Sequence, residues 1–338
     1  MNTVNKNSML KIGWVPYWNL HPFKIELLNH PTLFAEISYG VPSLINKWLE
    51  QGTISLAPCS SVCLFTQEKF EMAVPLGIAA TGKVQSVYWG TQPEHEEFIT
   101  TLENRKKIFS DIIKSANHTF GNNARKIAKY VYQTALKIPT LQVSSIPALH
   151  VTKESATSVM LTRVLFHLFF GDNFYYIARS KCQNNQDTKH RPMELLIGDE
   201  ALKQRKKFHK IIDLGDLWYE LTALPFVYAV WQSRGLTLNG WRRNIMSLGD
   251  RAEKKMKASP SFYLNTSSSL EQSEDNISLM TEYWKNLRYS LTIDDFKGLL
   301  LFLCLTRETQ SPYKCTDSSL IKIIRWQELT SSQERYLI

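Results

Sequence analysis

Five short stretches of the 338-residue chain put small polar residues where an apolar run stops. Four read as strand-end turns: Tyr17-Trp18-Asn19, Ala57-Pro58-Cys59-Ser60-Ser61, Gln85-Ser86 and Gly198-Asp199. The fifth, Thr157-Ser158, opens a run with helical periodicity. Of their polar groups only Asp199 is a base; an amide or a hydroxyl hydrogen-bonds and orients, but does not exchange a proton readily near neutral pH. In open α/β sheets ligands bind outside the carboxyl ends of strands. A helix N-terminus offers free N–H groups to an anion. Brought together, these stretches could line a cleft for a small carboxylate. Each also has a plainer explanation, which is the better one when it stands alone. Asn19 can stabilise a turn, Ser86 can be a small polar residue in a strand, and Thr157, Ser158 and Asp199 can cap helices. His21, between Leu20 and Pro22, reads as a turn residue. No GxGxxG, Walker A, HExxH or GxSxG pattern occurs.

The elements that must hold these stretches alternate. "LKIGWVPY" reads as a strand running straight into "WNLHPF". "GVPSLINKWLEQG" carries a helical stripe, with Pro42 suited to its first turn and Gly52 to its C-cap. "TISLAPCSSV", "FEMAVPLGIAAT" and "VQSVYWG" read as strands, and so do "ALHVT", "FYYIAR" and "MELLIGD". "KESATSVMLTRVLFHLFFG" is a helix that stops at Gly171, and "DLGDLWYELTA" one that stops before Pro225 and leads into a buried strand. Residues 101–147 are basic and mostly helical, broken at "HTFGNN" and ending in a Pro-punctuated segment. Helices are expected at roughly 240–257, 276–288 and 294–306, with a Ser-rich loop before the second. This alternation argues for an α/β fold on mixed, mostly parallel sheets.

Composition narrows the function classes. A 43 % hydrophobic and 12 % aromatic content is globular. No run of about 18 apolar residues occurs, which argues against a membrane span. The polar N-terminal stretch lacks a secretory apolar region, so a cytoplasmic location is expected. Five cysteines without a CxxC pair fit reduced thiols, and the scattered histidines argue against zinc. The net charge of +9 suggests attraction to anions. Nucleic-acid binding through the basic 101–137 stretch rests on charge alone, and no stacking or helix-turn-helix pattern supports it.

Several blocks, in order, resemble the chorismate dehydratase family of menaquinone biosynthesis by the futalosine route. They are "IGWVPYWNLHPF", "GVPSLINKWLEQGTISLAPCSS", "GIAATGKVQSVYWGT", "ESATSVMLTRVLF", "ELLIGDEAL", "DLGDLWYELTALPFVYAVW" and "YWKNLRYSLTIDDFKGLLLF". The resemblance implies the two-lobed fold of type-2 periplasmic binding proteins. One lobe would comprise 1–88 and 203–338, the other 89–202 with the helical insertion at about 101–147. The crossovers are expected near "SVYWGT" and "IGDEAL", which would set Gly198-Asp199 at the hinge and cleft wall.

The implied reaction removes water from chorismate, a dicarboxylate, to give 3-[(1-carboxyvinyl)oxy]benzoate, with no metal or other cofactor. It places catalytic weight on Asn19 and Ser86. Thr157 and Ser158 are candidates for one carboxylate; Pro58, Ser60, Ser61 and Gly198 are candidates for the rest of the substrate. The base is then either the substrate's own side-chain carboxylate or Asp199. Three departures from the family pattern stand out: Ser55 where an acidic residue is common, Ala223 where Gly is expected, and the 101–147 segment. That segment could be a partner surface, a brake on lobe closure or a decorated loop. Two rivals remain. One is the sister enzyme 1,4-dihydroxy-6-naphthoate synthase, whose Ile-His-Glu step is here Ile197-Gly198-Asp199. The other is a non-catalytic cytoplasmic solute-binding or sensor module of the same fold.

Overall fold

The computed structural model describes residues 9–30, 33, 35–66, 69–138, 148–152, 154–171, 176–178, 193–234, 241–266 and 274–309. Cys182, Cys315, most of the Pro-punctuated segment and the middle of the Ser-rich loop lie outside these residues.

Strand β1 (Leu10–Trp14) leads through a 3-10 turn at Trp18–Leu20 into α1 (His21–Leu28) and then β2 (Ala35–Tyr39). The sequence reading missed both α1 and β2. The buried residues of α1 are Pro22, Phe23 and Leu27, too few for a stripe, and β2 is an edge strand with no clean alternation. Helix α2 (Pro42–Gln51) begins on Pro42 and ends on Gly52 at φ 75°, the left-handed cap that a glycine allows. Strand β3 (Leu56–Ser60), the short α3 (Cys63–Thr66) and the long β4 (Glu71–Ala80) complete this part.

The chain then crosses to a second sheet through residues 81–86. There it forms β5 (Val87–Thr91), α4 (Glu96–Phe120), α5 (Ala124–Ala135), β6 (Leu149–Val151) and α6 (Ala156–Phe170). Strand β7 (Tyr176–Ala178), β8 (Met193–Ile197), α7 (Gly198–Gln204) and β9 (Lys210–Asp213) follow. Helix α8 (Leu214–Thr222) carries the chain back to β10 (Phe226–Ser233) in the first sheet. The remainder is α9 (Arg242–Ala258), α10 (Pro260–Leu264), α11 (Glu274–Asn286), β11 (Leu287–Ser290) and α12 (Ile293–Glu308).

The strands form a six-stranded sheet, order β11-β4-β10-β3-β1-β2, and a five-stranded sheet, order β7-β6-β8-β5-β9. Both are mixed, with a smaller parallel share than the alternation suggests: among the described residues four strand pairs are parallel and five antiparallel. The antiparallel pairs gather around the strands that flank the crossings. Strand β9 also moves the second crossing. The short "KIID" pairs with β5, so 203–213 stays with the five-stranded sheet and the return runs through α8, not through Gly198-Asp199.

Helices α4 and α5 bury Leu102, Phe109, Ile113, Ile127 and Val131 in the core and pack on α8, α6 and α12. They are part of the packing, where the sequence suggested an added segment. The break between them falls at Gly121-Asn122-Asn123, and Asn123 caps α5 by accepting from the Lys126 N–H.

Candidate active site

The 3-10 turn that follows β1 carries Asn19, and three neighbours hold its backbone. The Trp18 N–H donates to Asp199 Oδ1 at 3.0 Å. The Trp284 indole donates to the Trp18 carbonyl at 3.0 Å, and the Tyr289 phenol to the Asn19 carbonyl at 2.6 Å. With the backbone fixed from three sides, the amide side chain has little freedom. Its Oδ1 is buried and has no hydrogen-bond partner. A buried acceptor left unpaired costs stability, about 1–3 kcal/mol for such a group.

Ser86 arrives on the first crossing. The preceding Gln85 sits at φ 64°, a left-handed conformation that costs a non-glycine residue about 1–2 kcal/mol. Asp213 holds this shape, accepting the Gln85 N–H at 2.6 Å and the Val84 N–H at 3.1 Å. The same carboxylate accepts the Gly215 and Asp216 N–H groups that open α8, at 3.0 and 3.2 Å. One side chain therefore ties the two crossings together. Ser86 is in turn joined to β8, because the Gly198 N–H donates to the Ser86 carbonyl at 2.7 Å.

Gly198 is required where it stands. Its φ is 58°, and a Cβ there would lie 3.1 Å from the Tyr17 ring. The apolar run stops on Gly-Asp because the first residue must turn left-handed against Tyr17 and the second must hold the Asn19 turn.

Asn19, Ser86, Pro58, Ser60, Ser158 and Gly198 line one cleft, open to solvent, between the two sheets. Its remaining wall is mostly apolar (Val15, Leu20, Pro42, Ile78, Val84, Val87, Ile197), with Tyr17, Ser155 and Tyr228 among the polar members. Among the described residues, no Lys, Arg, His, Asp or Glu lines it. Positive potential is supplied by the start of the 15-residue α6, where Ser155 caps the Ser158 N–H at 3.2 Å and its hydroxyl meets the Ser158 hydroxyl at 2.9 Å.

Three expected site residues stand behind the surface. Thr157 and Ser61 face each other, with Oγ1 and Oγ 3.3 Å apart, and the Val62 N–H donates to Thr157 Oγ1 at 3.4 Å. They join the two halves of the cleft wall, so Ser155, not Thr157, is the hydroxyl presented beside Ser158. Asp199 is occupied by the Trp18 N–H, and burial pushes its carboxyl up to about 6 against the pull of that bond and of Lys203. It holds the turn rather than reaching the cleft wall.

Sequence reasoning did not single out Tyr283, on α11. Its fully buried phenol oxygen faces the side chains of Ser86 and Asn19, which favour its charged form, but burial dominates and keeps it a neutral phenol. Nor did it find the contact in which the Tyr17 hydroxyl donates to Glu154 Oε2 at 2.9 Å. Neither residue carries a spacing signal, since its partner is far away in sequence. Among the described residues no group of three or more His, Cys, Asp or Glu side chains could hold a metal ion. No described helix is long and apolar enough to cross a membrane.

Comparison with known proteins decides the family. The family model described as "Menaquinone biosynthesis" matches residues 10–147 and 131–308, nearly all of the described chain. The chain belongs to the menaquinone-biosynthesis family. The two matches overlap at 131–147. No curated protein matches the chain in sequence.

The solved structures similar to this menaquinone-biosynthesis protein show its fold to be periplasmic-binding-protein-like. A ligand-binding component of an ABC-type import system from Staphylococcus aureus, with zinc bound, aligns at a TM-score of 0.56 and 14 % identity, over 93 % of this chain and 96 % of that one. The alkanesulfonate-binding protein of Xanthomonas axonopodis pv. citri, bound to MOPS, gives 0.57 and 11 %, over 92 % and 98 %. A Candida albicans protein described as having the generic periplasmic binding protein fold gives 0.53 and 10 %, over 94 % and 95 %.

Proposed function

We propose that this member of the menaquinone-biosynthesis family is a chorismate dehydratase, eliminating water from chorismate to give 3-[(1-carboxyvinyl)oxy]benzoate. The observation that carries the reading is the cleft itself. It brings Asn19 and Ser86 together with an unpaired amide oxygen, and the described residues put no acidic, basic or imidazole side chain on its wall. Such a site holds and orients a substrate, and a substrate that reacts there must bring its own base.

Chorismate does so. Its side-chain carboxylate takes the proton from the ring carbon that bears the enolpyruvyl ether, the electron pair forms the new ring double bond, and the neighbouring hydroxyl leaves. The carboxylic acid so formed passes that proton to the departing oxygen, which leaves as water, and aromatisation supplies the driving force. Asn19 Oδ1 accepts from the leaving hydroxyl, and the Ser86 hydroxyl, backed by Tyr283, holds the reacting edge of the ring. The start of α6, with Ser155 and Ser158, takes one carboxylate. The contribution of the protein is proximity and fixed dipoles in a largely apolar cleft. Asp199 as the alternative base fits less well, since Trp18 occupies it and it stands behind the wall.

The test is direct. Purified protein is mixed with chorismate, without added metal or nucleotide, and the products are followed by liquid chromatography with mass detection. An aromatic product lighter by one water is expected, with turnover falling roughly 100-fold or more in Asn19→Ala. Full turnover by that variant removes Asn19 from the chemistry. Chorismate unchanged by folded wild-type protein sinks the dehydratase reading and leaves a binding module, which the same cleft would also serve.

A further inference from the structure

Strand β10 runs antiparallel to β4, with Val227 opposite Ala79 and Ala229 opposite Ile78. One residue on β10 is therefore extra, and it is Tyr228. A β-bulge of this kind breaks the alternation and re-aims a side chain, and bulges recur beside active sites. Here the bulge contributes Tyr228 to the cleft wall. Its ring is buried and packs edge-on against Phe226, with centroids 4.8 Å apart. Its hydroxyl is buried and has no hydrogen-bond partner. Space for that hydroxyl depends on a glycine, because a Cβ on Gly215 would stand 2.8 Å from it. Among the described residues, two buried unpaired side-chain atoms belong to cleft-lining residues, Asn19 Oδ1 and this hydroxyl.

We propose that Tyr228 is a specificity-determining residue whose hydroxyl donates a hydrogen bond to an uncharged oxygen of the ligand, an alcohol or an ether. The charge nearby selects the class. Asp213 lies beside the Tyr228 phenol without being hydrogen-bonded to it, since a Cβ on Gly215 would stand 2.8 Å from that hydroxyl and 3.3 Å from Asp213 Oδ1, and its carboxylate already accepts four backbone N–H groups, three at Oδ1 and one at Oδ2. A ligand carboxylate placed at Tyr228 would meet that charge; a neutral oxygen would not. The ligand is thus oriented, with an anionic end toward the start of α6 and an uncharged oxygen toward β10. The inference rests on the dehydratase reading for the identity of that ligand.

The test is Tyr228→Phe, which deletes only the hydroxyl. If the hydroxyl serves the ligand alone, the ligand-free variant melts no lower than wild type, because no partner is lost. KM for chorismate then rises about 3- to 10-fold, the worth of one neutral hydrogen bond. The dissociation constant of the product, which keeps the ether but lacks the ring hydroxyl, tells which oxygen is read. It rises in parallel if the contact is to the ether, and stays constant if the contact is to the hydroxyl.

Unchanged KM and unchanged product affinity in the variant overturn the proposal. So does a lower melting temperature of the ligand-free variant, which would mean that the hydroxyl serves the fold. Turnover by wild type with an indifferent Tyr228→Phe sinks this inference alone, whereas wild-type protein inert on chorismate sinks both.

Discussion

Two carboxylates occupy matching places on either side of β5 in the five-stranded sheet. Strands β8 and β9 flank β5, and each runs into a helix at a carboxylate, Asp199 after β8 and Asp213 at the end of β9. Both accept backbone N–H groups from a segment remote in sequence. Asp199 accepts one, from Trp18; Asp213 accepts four, two from the first crossing and two from the start of α8. Burial raises the carboxyl in both cases, and the N–H groups oppose it. The difference is one of function within the frame. Asp213 is a knot that sets where the crossings lie, and hence where Ser86 lies. Asp199 is a single adjustable contact on the turn that carries Asn19.

The largest effect is expected from untying the knot. Asp213→Ala leaves four backbone N–H groups without their acceptor and releases Gln85 from its left-handed conformation. A loss of roughly 3 kcal/mol or more is expected, read as a lower midpoint in urea or heat. If Asp213→Ala instead unfolds like wild type, the two carboxylates do not differ in kind and the comparison fails.

The same change at the other carboxylate tests titration. The folded-state value of Asp199, about 6, lies above its ordinary 3.8, so the folded protein binds this proton more tightly than the unfolded chain. Its contribution to stability is therefore complete below about 4 and is lost as the pH rises through about 6. Asp199→Asn keeps an oxygen for the Trp18 N–H but cannot ionise. Its stability should match wild type near pH 4 and exceed it by ~2–3 kcal/mol at pH 7, which denaturation at the two pH values measures. Turnover should persist, since the carboxylate is not on the cleft wall. Lost turnover with an intact fold would return Asp199 to the role of base.

These contrasts also show what was legible in the sequence. The strand-end turns at Asn19, Ser60, Ser86 and Gly198 and the start of α6 were readable because each joins a strong apolar run to a polar stop. They do meet in one cleft. Strand β9 was not readable, because "KIID" is short and half charged, so the second crossing was expected about fifteen residues too early. Asp213 shared that fate: its signal is an ordinary helix cap, and nothing local says that its partners include Val84 and Gln85. Tyr228 was hidden inside an apolar run, since a bulge is a property of pairing between strands. Thr157 and Ser61 were read as substrate groups because hydroxyls at such places face a ligand or each other, and only the fold decides which.

The smallest effect concerns the second crossing, where Ala223 stands in the place of an expected glycine. It caps α8 at φ 55°, and with Gln85 it is one of two described non-glycine residues in the left-handed region. The two differ in what holds them. Gln85 is clamped by Asp213 beside Ser86, whereas Ala223 makes only a helix-end bond, its N–H donating to the Tyr219 carbonyl at 2.8 Å. Relief at Ala223 should therefore stay local. Ala223→Gly removes the clash of its Cβ at the cost of a more flexible unfolded chain, for a net gain of roughly 0.5–1 kcal/mol. KM and kcat should not move, because the knot at Asp213 separates this end of α8 from the cleft. A gain in stability accompanied by a shift in KM would show that the second crossing transmits its conformation past Asp213, and the knot would then be a hinge.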